Sequence, residues 1–142
     1  HVAGCTGNMS EKTVQALYGL PDHAMLDMGD FAGGMLKYLA RHPVERVTIG
    51  GGIGKITKLA QGAVDLHSGR STVDFAALAA LMDDPRLAQA NTALAAYEIA
   101  GPPLAQAVAD LALSRLQTEY VGMMFDVVII DRAGQIIGRA GP

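Results

Sequence analysis

The chain has 142 residues, half of them apolar and 18% charged, so it can bury a core and is not a disordered chain. Eleven Lys and Arg against 14 Asp and Glu give a net charge of −3, which argues against the basic surface of a general nucleic-acid binder. Cys5 is the only cysteine, which excludes an intrachain disulfide and a thiolate metal cluster and favours a reducing, cytoplasmic setting.

Short β-like runs alternate with helical stretches along the first half of the chain. Strands are predicted at residues 1–5, 24–28 and 46–49, with helices at 8–18 and 31–41. A third helix carries Ile56, Leu59 and Ala60 on one face. This alternation predicts a three-layer, Rossmann-like α/β fold, in which a mostly parallel sheet has helices on both faces.

The second half is predicted to be helical before the chain returns to the sheet. Ser71 and Asp74 predict the cap of a helix, and Pro85 predicts the start of a long, alanine-rich amphipathic helix. After another such helix, residues 125–131 form the most apolar strand, as expected of a buried parallel strand. A last strand is predicted at 135–139.

No repeat, linker or change in composition divides residues 1–142, so a single domain is predicted. The chain begins with His1 and enters a predicted strand at once, so we expect a piece of a longer protein whose N-terminal domain is a partner. No apolar run approaches the roughly 18 residues of a membrane helix, and no signal peptide opens the chain. We therefore expect a cytoplasmic protein with no membrane contact, and homo-oligomerisation stays open.

Three glycine-containing loops follow the first three predicted strands, at 6–8, 28–30 and 50–55. In open α/β sheets the ligand site forms outside the carboxyl ends of the strands, where the chain enters the next helix. Glycine lets the backbone approach a ligand closely. Thr6, Gly7 and Gly29 are therefore candidate binding residues.

The glycine-rich segment 50–55 does not match either phosphate-binding motif. A P-loop needs Gly at position 49 and Ser or Thr at 56, where this chain has Ile, and the dinucleotide fingerprint needs Gly where Lys55 stands. An amide-rich turn at a helix N-terminus followed by lysines still predicts a site for a carboxylate or phosphate. Its candidate residues are Gly50, Gly51, Gly52, Gly54, Lys55 and Lys58. The alternative is a tight strand-to-helix turn with solvated lysines.

Four further side chains are candidates for binding or acid–base chemistry. Asp27 and Asp30 stand where ribose hydroxyls are often held in such folds, although Asp30 could instead cap the helix that starts at Phe31. His67 and Arg70 lie in a polar turn, where His can act as an acid or base and Arg can grip a carboxylate. A solvent-exposed turn explains this pair equally well. No histidine has the spacing of a metal pair, so no metal site is predicted.

Several long motifs occur in fixed order around these loops. They are DMGDFAGGMLK at 27–37, GGGIGK at 50–55, TKLAQG at 57–62, and His67-Ser68. This series closely resembles CbiD, the family of cobalt-precorrin-5B carbon-1 methyltransferases of cobalamin biosynthesis. The resemblance covers residues 1 to about 81, the remainder is compatible with it, and members of that family carry an additional N-terminal domain.

The resemblance implies methyl transfer from S-adenosylmethionine to carbon 1 of a cobalt corrinoid. Such a reaction needs no nucleophilic side chain, because the sulfonium methyl is already electrophilic; the protein aligns the reactants and excludes water. The corrinoid carboxylates would suit the 50–54 amides, Lys55, Lys58 and Arg70. A catalytic base would be His67, Asp30 or a group in the N-terminal domain.

Two alternatives from other classes stay open. One is a non-catalytic module that binds a nucleotide or an anionic metabolite. The other is half of a nicotinamide-dependent oxidoreductase, against which the missing third glycine of the dinucleotide fingerprint argues.

Overall fold

The computed structural model describes all residues 1–142 as a five-stranded sheet with helices on both faces. The strands lie in the order β2-β1-β3-β4-β5, and only β5 runs antiparallel to its neighbour. The predicted α/β class with a mostly parallel sheet is therefore confirmed. The strands are β1 (Val2–Cys5), β2 (Met25–Leu26), β3 (Arg46–Gly51), β4 (Met124–Ile130) and β5 (Ile136–Ala140).

Six α-helices connect the strands. They are α1 (Asn8–Tyr18), α2 (Ala32–Arg41), α3 (Ile53–Ala60), α4 (Phe75–Met82), α5 (Ala93–Ala100) and α6 (Pro102–Glu119). No helix combines the length and hydrophobicity that crossing a bilayer requires.

The two faces of the sheet are covered unequally. On one face Val14 of α1 packs with Cys5, Val128 and Ile130 in a small cluster. The other face carries the main core, because inward-facing strand residues such as Ile49 and Val127 pack there against the remaining helices. Alternate residues of one strand thus serve different layers, as the two-residue period of a strand requires.

Cys5 belongs to the small cluster and is 6% exposed. Burial in apolar surroundings, with a smaller contribution from Glu11, raises the pKa of this thiol to about 12. Cys5 therefore stays a neutral packing group at neutral pH.

Two predicted boundaries are wrong. The second strand is only two residues long, because a 3-10 turn at Asp22–Ala24 occupies part of the segment that precedes it. The long helix predicted from Pro85 is divided into a 3-10 helix, Pro85–Gln89, and α5. The Thr92 hydroxyl accepts a hydrogen bond from the Ala95 N–H, so it caps α5 and starts a new helix.

The glycine-rich loop is also shorter than predicted. Gly50 and Gly51 are buried strand residues of β3, paired with Val128 and Ile129 of β4, so the loop begins only at Gly52. A Cβ at Gly50 would stand 2.7 Å from the Val14 side chain, and one at Gly51 would stand 2.7 Å from Thr6 Oγ1. These two glycines are needed for close packing.

Candidate functional site

The strand order of the sheet reverses between β1 and β3, and the carboxyl ends of these two strands lie side by side. From β1 the chain passes through α1 to β2 on one side, whereas from β3 it passes to β4 on the other side. The two connections diverge and leave a crevice between them, which is the usual ligand position in doubly wound folds. Two helices begin at this crevice, α1 after Gly7 and α3 after Gly52.

A cleft follows this edge of the sheet and has two connected parts. A polar part of about 280 Å³ lies over the start of α1 and is lined by Thr6, Gly7 and Ser10 among others. A more apolar part of about 310 Å³ lies between α3 and α5, where Tyr97 lines it. Both parts share Gly52, Ile130, Asp131 and Arg132, so we treat them as one edge cleft.

The glycines of the edge cleft differ from the packing glycines of β3. A Cβ at Gly7 would meet nothing within 4 Å, and one at Gly52 would meet only the Ile130 carbonyl at 3.9 Å. Gly7 has φ −168° and Gly52 has φ −74°, both of which any residue adopts. The fold therefore has no steric need for glycine at either position, and a side chain there would project into the open cleft.

The N-cap residue of α1 lies in the first predicted loop. Gly7, not Asn8, is the N-cap residue, and the Ser10 hydroxyl accepts from the Gly7 N–H at 3.2 Å and donates to the Gly7 carbonyl at 2.9 Å. The sequence did not identify Ser10 as a cleft residue, because a serine in the first turn of a helix is fully explained by hydrogen bonds to the backbone of that helix.

Asp30, Lys55, Lys58 and the Leu66 carbonyl come together beside the edge cleft, and we call this group the lysine cluster. Lys55 Nζ lies 3.0 Å from Asp30 Oδ1. Lys55 Nζ and Lys58 Nζ each donate to the Leu66 carbonyl oxygen at 3.2 Å. The Leu66 N–H in turn donates to the Asp30 carbonyl at 2.8 Å, which fixes the loop after β2 against the segment that follows α3.

The predicted role of Asp30 as a helix cap is wrong. The N-cap residue of α2 is Phe31, which makes no side-chain capping bond, and the Asp30 carboxylate is directed to Lys55 instead. This ion pair joins the loop after β2 to the first turn of α3, although Asp30 and Lys55 are 25 residues apart in sequence.

Lys58 is a buried cation, not the solvated lysine of the alternative interpretation. The residue is only 8% exposed. Desolvation, reinforced by the nearby charge of Lys55 and opposed by Asp30, lowers the pKa of its ammonium group. Its one hydrogen-bond acceptor is the Leu66 carbonyl, which it shares with Lys55.

A third cavity of about 400 Å³ lies beside Lys58, and we call it the lysine cavity. It shares Gly54, Thr92 and Ala93 with the edge cleft. Its polar lining comes from segments that sequence analysis treated as turns and helix interior, namely Ser68, Ser71, Thr72, Asn91 and Thr92. The long helix predicted from Pro85 is interrupted at Asn91 and Thr92. Threonine is a favoured N-cap residue, and Thr92 was the one signal in the sequence that could have located this interruption.

The other predicted residues lie further from this centre. Arg70 is exposed and pairs with Asp65 at 3.2 Å, and Asp27 is exposed with no ion pair. His67 is exposed, and its Nδ1 accepts a hydrogen bond from the Gly69 N–H at 3.0 Å. In the neutral ring Nε2 then carries the proton, so His67 as arranged offers a donor rather than a base. No group of three or more His, Cys, Asp or Glu side chains is placed to hold a metal ion.

Comparison with known proteins gives consistent matches. The family model described as "CbiD, C-terminal domain" matches residues 65–141. A cobalt-precorrin-5B C(1)-methyltransferase of Paramagnetospirillum magneticum is 52% identical over 99% of this chain and 42% of its own length. Proteins of the same name from Bradyrhizobium sp. and Halorhodospira halophila are 49% and 50% identical, over 98% and 99% of this chain and 40% and 41% of their own lengths.

The similarity extends well past residue 81, where the motifs quoted from the sequence end. The chain spans about two fifths of the length of the curated relatives it matches. No solved structure matches it.

Proposed function

The chain belongs to the CbiD C-terminal domain family, and on this premise we propose that it is one domain of an S-adenosylmethionine-dependent methyltransferase. The proposed reaction methylates carbon 1 of cobalt-precorrin-5B in cobalamin biosynthesis. The observation that carries the proposal is sequence identity of about half over nearly the whole chain with proteins of that name. A longer enzyme performs the proposed reaction, because these relatives are more than twice as long as the matched segment.

We assign the methyl donor to the edge cleft. Gly7 and Gly52 support this assignment because the fold does not require glycine there, whereas a bound ligand that approaches the backbone does. The free N–H groups at the starts of α1 and α3 suit the carboxylate of the donor. Asp27, which is exposed and forms no ion pair, remains the better candidate for ribose hydroxyls, since Asp30 is paired with Lys55.

S-adenosylmethionine supplies an electrophilic methyl group on a sulfonium, and its transfer to a carbon nucleophile leaves S-adenosylhomocysteine. The residues of this chain would align donor and acceptor and exclude water. The apolar lining of the cleft around Ile130 and Tyr97 favours the exclusion of water. Neither His67 nor Asp30 is poised as a base, because Nδ1 of the first and the carboxylate of the second are already engaged. We therefore place any base in the remainder of the longer enzyme.

A chimaera tests the proposed reaction. This chain replaces the matching segment of the Paramagnetospirillum magneticum relative, and transfer of one methyl group to cobalt-precorrin-5B is followed by mass spectrometry. We expect methylation that requires S-adenosylmethionine and that falls at least tenfold in kcat/KM with Gly52→Leu, because the new side chain occupies the edge cleft.

Gly34→Leu is the matched control. Gly34 is exposed on α2, and a Cβ there approaches only Phe31 at 4.0 Å, so activity is expected to be unchanged. A folded chimaera that yields no methylated product, under conditions where the parent relative is active, contradicts the proposed function.

A further inference from the structure

The charges of the lysine cluster do not balance. It contains two ammonium groups, of Lys55 and Lys58, and one carboxylate, that of Asp30. The carboxylate forms its ion pair with Lys55, which is the more exposed of the two lysines. Lys58, although 92% buried, has no carboxylate within ion-pair distance. Buried charges in proteins are normally paired, so this lysine stands out from the rest of the molecule.

Hydrogen bonding does not compensate for the missing charge. An ammonium group has three donors, and Lys58 uses one of them on the Leu66 carbonyl, which already accepts from Lys55. If the only role of Lys58 were to hold the segment after α3, Lys55 would supply that bond without the desolvation that Lys58 suffers. The other two donors of Lys58 therefore remain for a partner in the cavity that this residue lines.

The space beside Lys58 has the composition of an anion site. The lysine cavity measures about 400 Å³, and it is lined by hydroxyl groups from two segments of the chain, the loop before α4 and the turn before α5, and by the Asn91 amide. No acidic side chain lines it. Hydroxyl and amide donors around one ammonium suit a carboxylate, which accepts several hydrogen bonds and returns the local charge to neutrality.

We infer that the lysine cavity is a subsite for one carboxylate of the ligand, held by Lys58 and by the hydroxyl groups around it. This inference rests on the proposed function, because a corrinoid whose side chains end in carboxylates is what would place such a group next to the edge cleft. The cavity shares Gly54, Thr92 and Ala93 with that cleft, so one ligand can reach both. Lys58 is thus assigned to substrate binding and Lys55 to support of the loops.

The test uses propionate as the carboxylate probe and propionamide as its neutral match of nearly the same shape. Backbone amide shifts of the 142-residue chain are recorded by NMR during titration with each compound. We expect saturable shifts at Gly54, Ser71 and Thr92 with propionate and none with propionamide. Lys58→Met, which keeps the length and removes the charge, is expected to weaken propionate binding roughly tenfold or more.

Two variants keep the test decisive. Lys37→Met removes an exposed lysine of α2 and is expected to leave propionate binding unchanged, which controls for general charge effects. Asn91→Leu fills the cavity from an exposed position that makes no hydrogen bond, and it is expected to weaken binding even if Lys58→Met fails to fold.

Equal shifts with propionate and propionamide, or unchanged binding in a folded Lys58→Met, would overturn the inference. Inorganic phosphate that binds this cavity at least tenfold more tightly than propionate would also overturn it, because the site would then be specific for phosphate. Binding of S-adenosylhomocysteine at the edge cleft is measured separately. Failure of the carboxylate subsite therefore leaves the methyl-donor assignment standing.

Discussion

Two charged clusters lie towards opposite ends of the parallel strands. They differ in how completely each charge is paired with an opposite charge and with hydrogen-bond partners. Towards the amino-terminal end, Asp126 of β4 is fully buried. Arg46 donates to both of its carboxylate oxygens, at 2.7 and 2.8 Å, and the Thr48 hydroxyl donates to it at 3.0 Å. Arg46 also lies over the Tyr18 ring, 4.9 Å from its centroid.

At the carboxyl end, Lys58 is nearly as buried and has one shared carbonyl. The Asp126 cluster is complete without a ligand, and the bidentate pair raises the pKa of Arg46 further. The comparison teaches that burial of a charge does not by itself mark a functional site. What distinguishes the two ends is whether the protein supplies the counter-charge.

Removing Asp126 should have the largest effect on stability. Asp126→Ala leaves Arg46 and Thr48 without their acceptor in a largely buried place, so we expect a loss of about 3 kcal/mol in the free energy of unfolding. This is the lower end of the range for a broken buried pair, because the Arg46 side chain is 25% exposed. Urea denaturation measures the change.

The ion pair between Arg115 and Glu119 serves as the control. Its atoms are 3.6 Å apart and both side chains are nearly half exposed, so Glu119→Ala should change stability by less than about 0.5 kcal/mol. If Asp126→Ala were equally mild, the Asp126 cluster would not be the structural element that its geometry indicates.

Substitution of the adjacent glycines Gly51 and Gly52 tests the same contrast between structural and ligand-binding residues, with a smaller expected change in stability. Gly51→Ala places a Cβ 2.7 Å from Thr6 Oγ1 and 3.2 Å from Ile56, and we expect it to destabilise the fold by roughly 1–3 kcal/mol. Gly52→Ala meets open space at a φ of −74°, so it should leave stability unchanged or raise it by about 0.4–1 kcal/mol.

Thermal unfolding of the two variants measures this difference. Equal losses of stability would show that Gly52 also serves the fold, and the argument that a ligand requires glycine there would fail.

The order of the elements, and with it the position of the site, followed from the sequence. Alternating strands and helices predicted a parallel sheet, and a parallel sheet brings the loops at Thr6, Gly29 and Gly52 to one edge. The helix bounds Asn8–Tyr18 agree with the prediction because Gly19 and Pro21 end that helix clearly.

The details that decide chemistry did not follow from local patterns. Gly50 and Gly51 were predicted as loop because local propensity cannot detect that α1 and Thr6 approach β3 closely. Lys58 was predicted as an anion-binding residue, but its burial was not, because lysine usually lies in solvent and only tertiary packing buries this one. Asp126 was taken as part of an apolar strand, because its partner Arg46 is 80 residues away in sequence.

The most direct test of the central claim is a calorimetric titration of the 142-residue chain with S-adenosylhomocysteine. The edge cleft as methyl-donor site predicts binding that is weakened at least tenfold by Gly7→Leu and by Gly52→Leu, and unchanged by Gly34→Leu. Absence of binding, or equal affinity in all four proteins, would contradict the assignment and place the methyl donor outside this cleft.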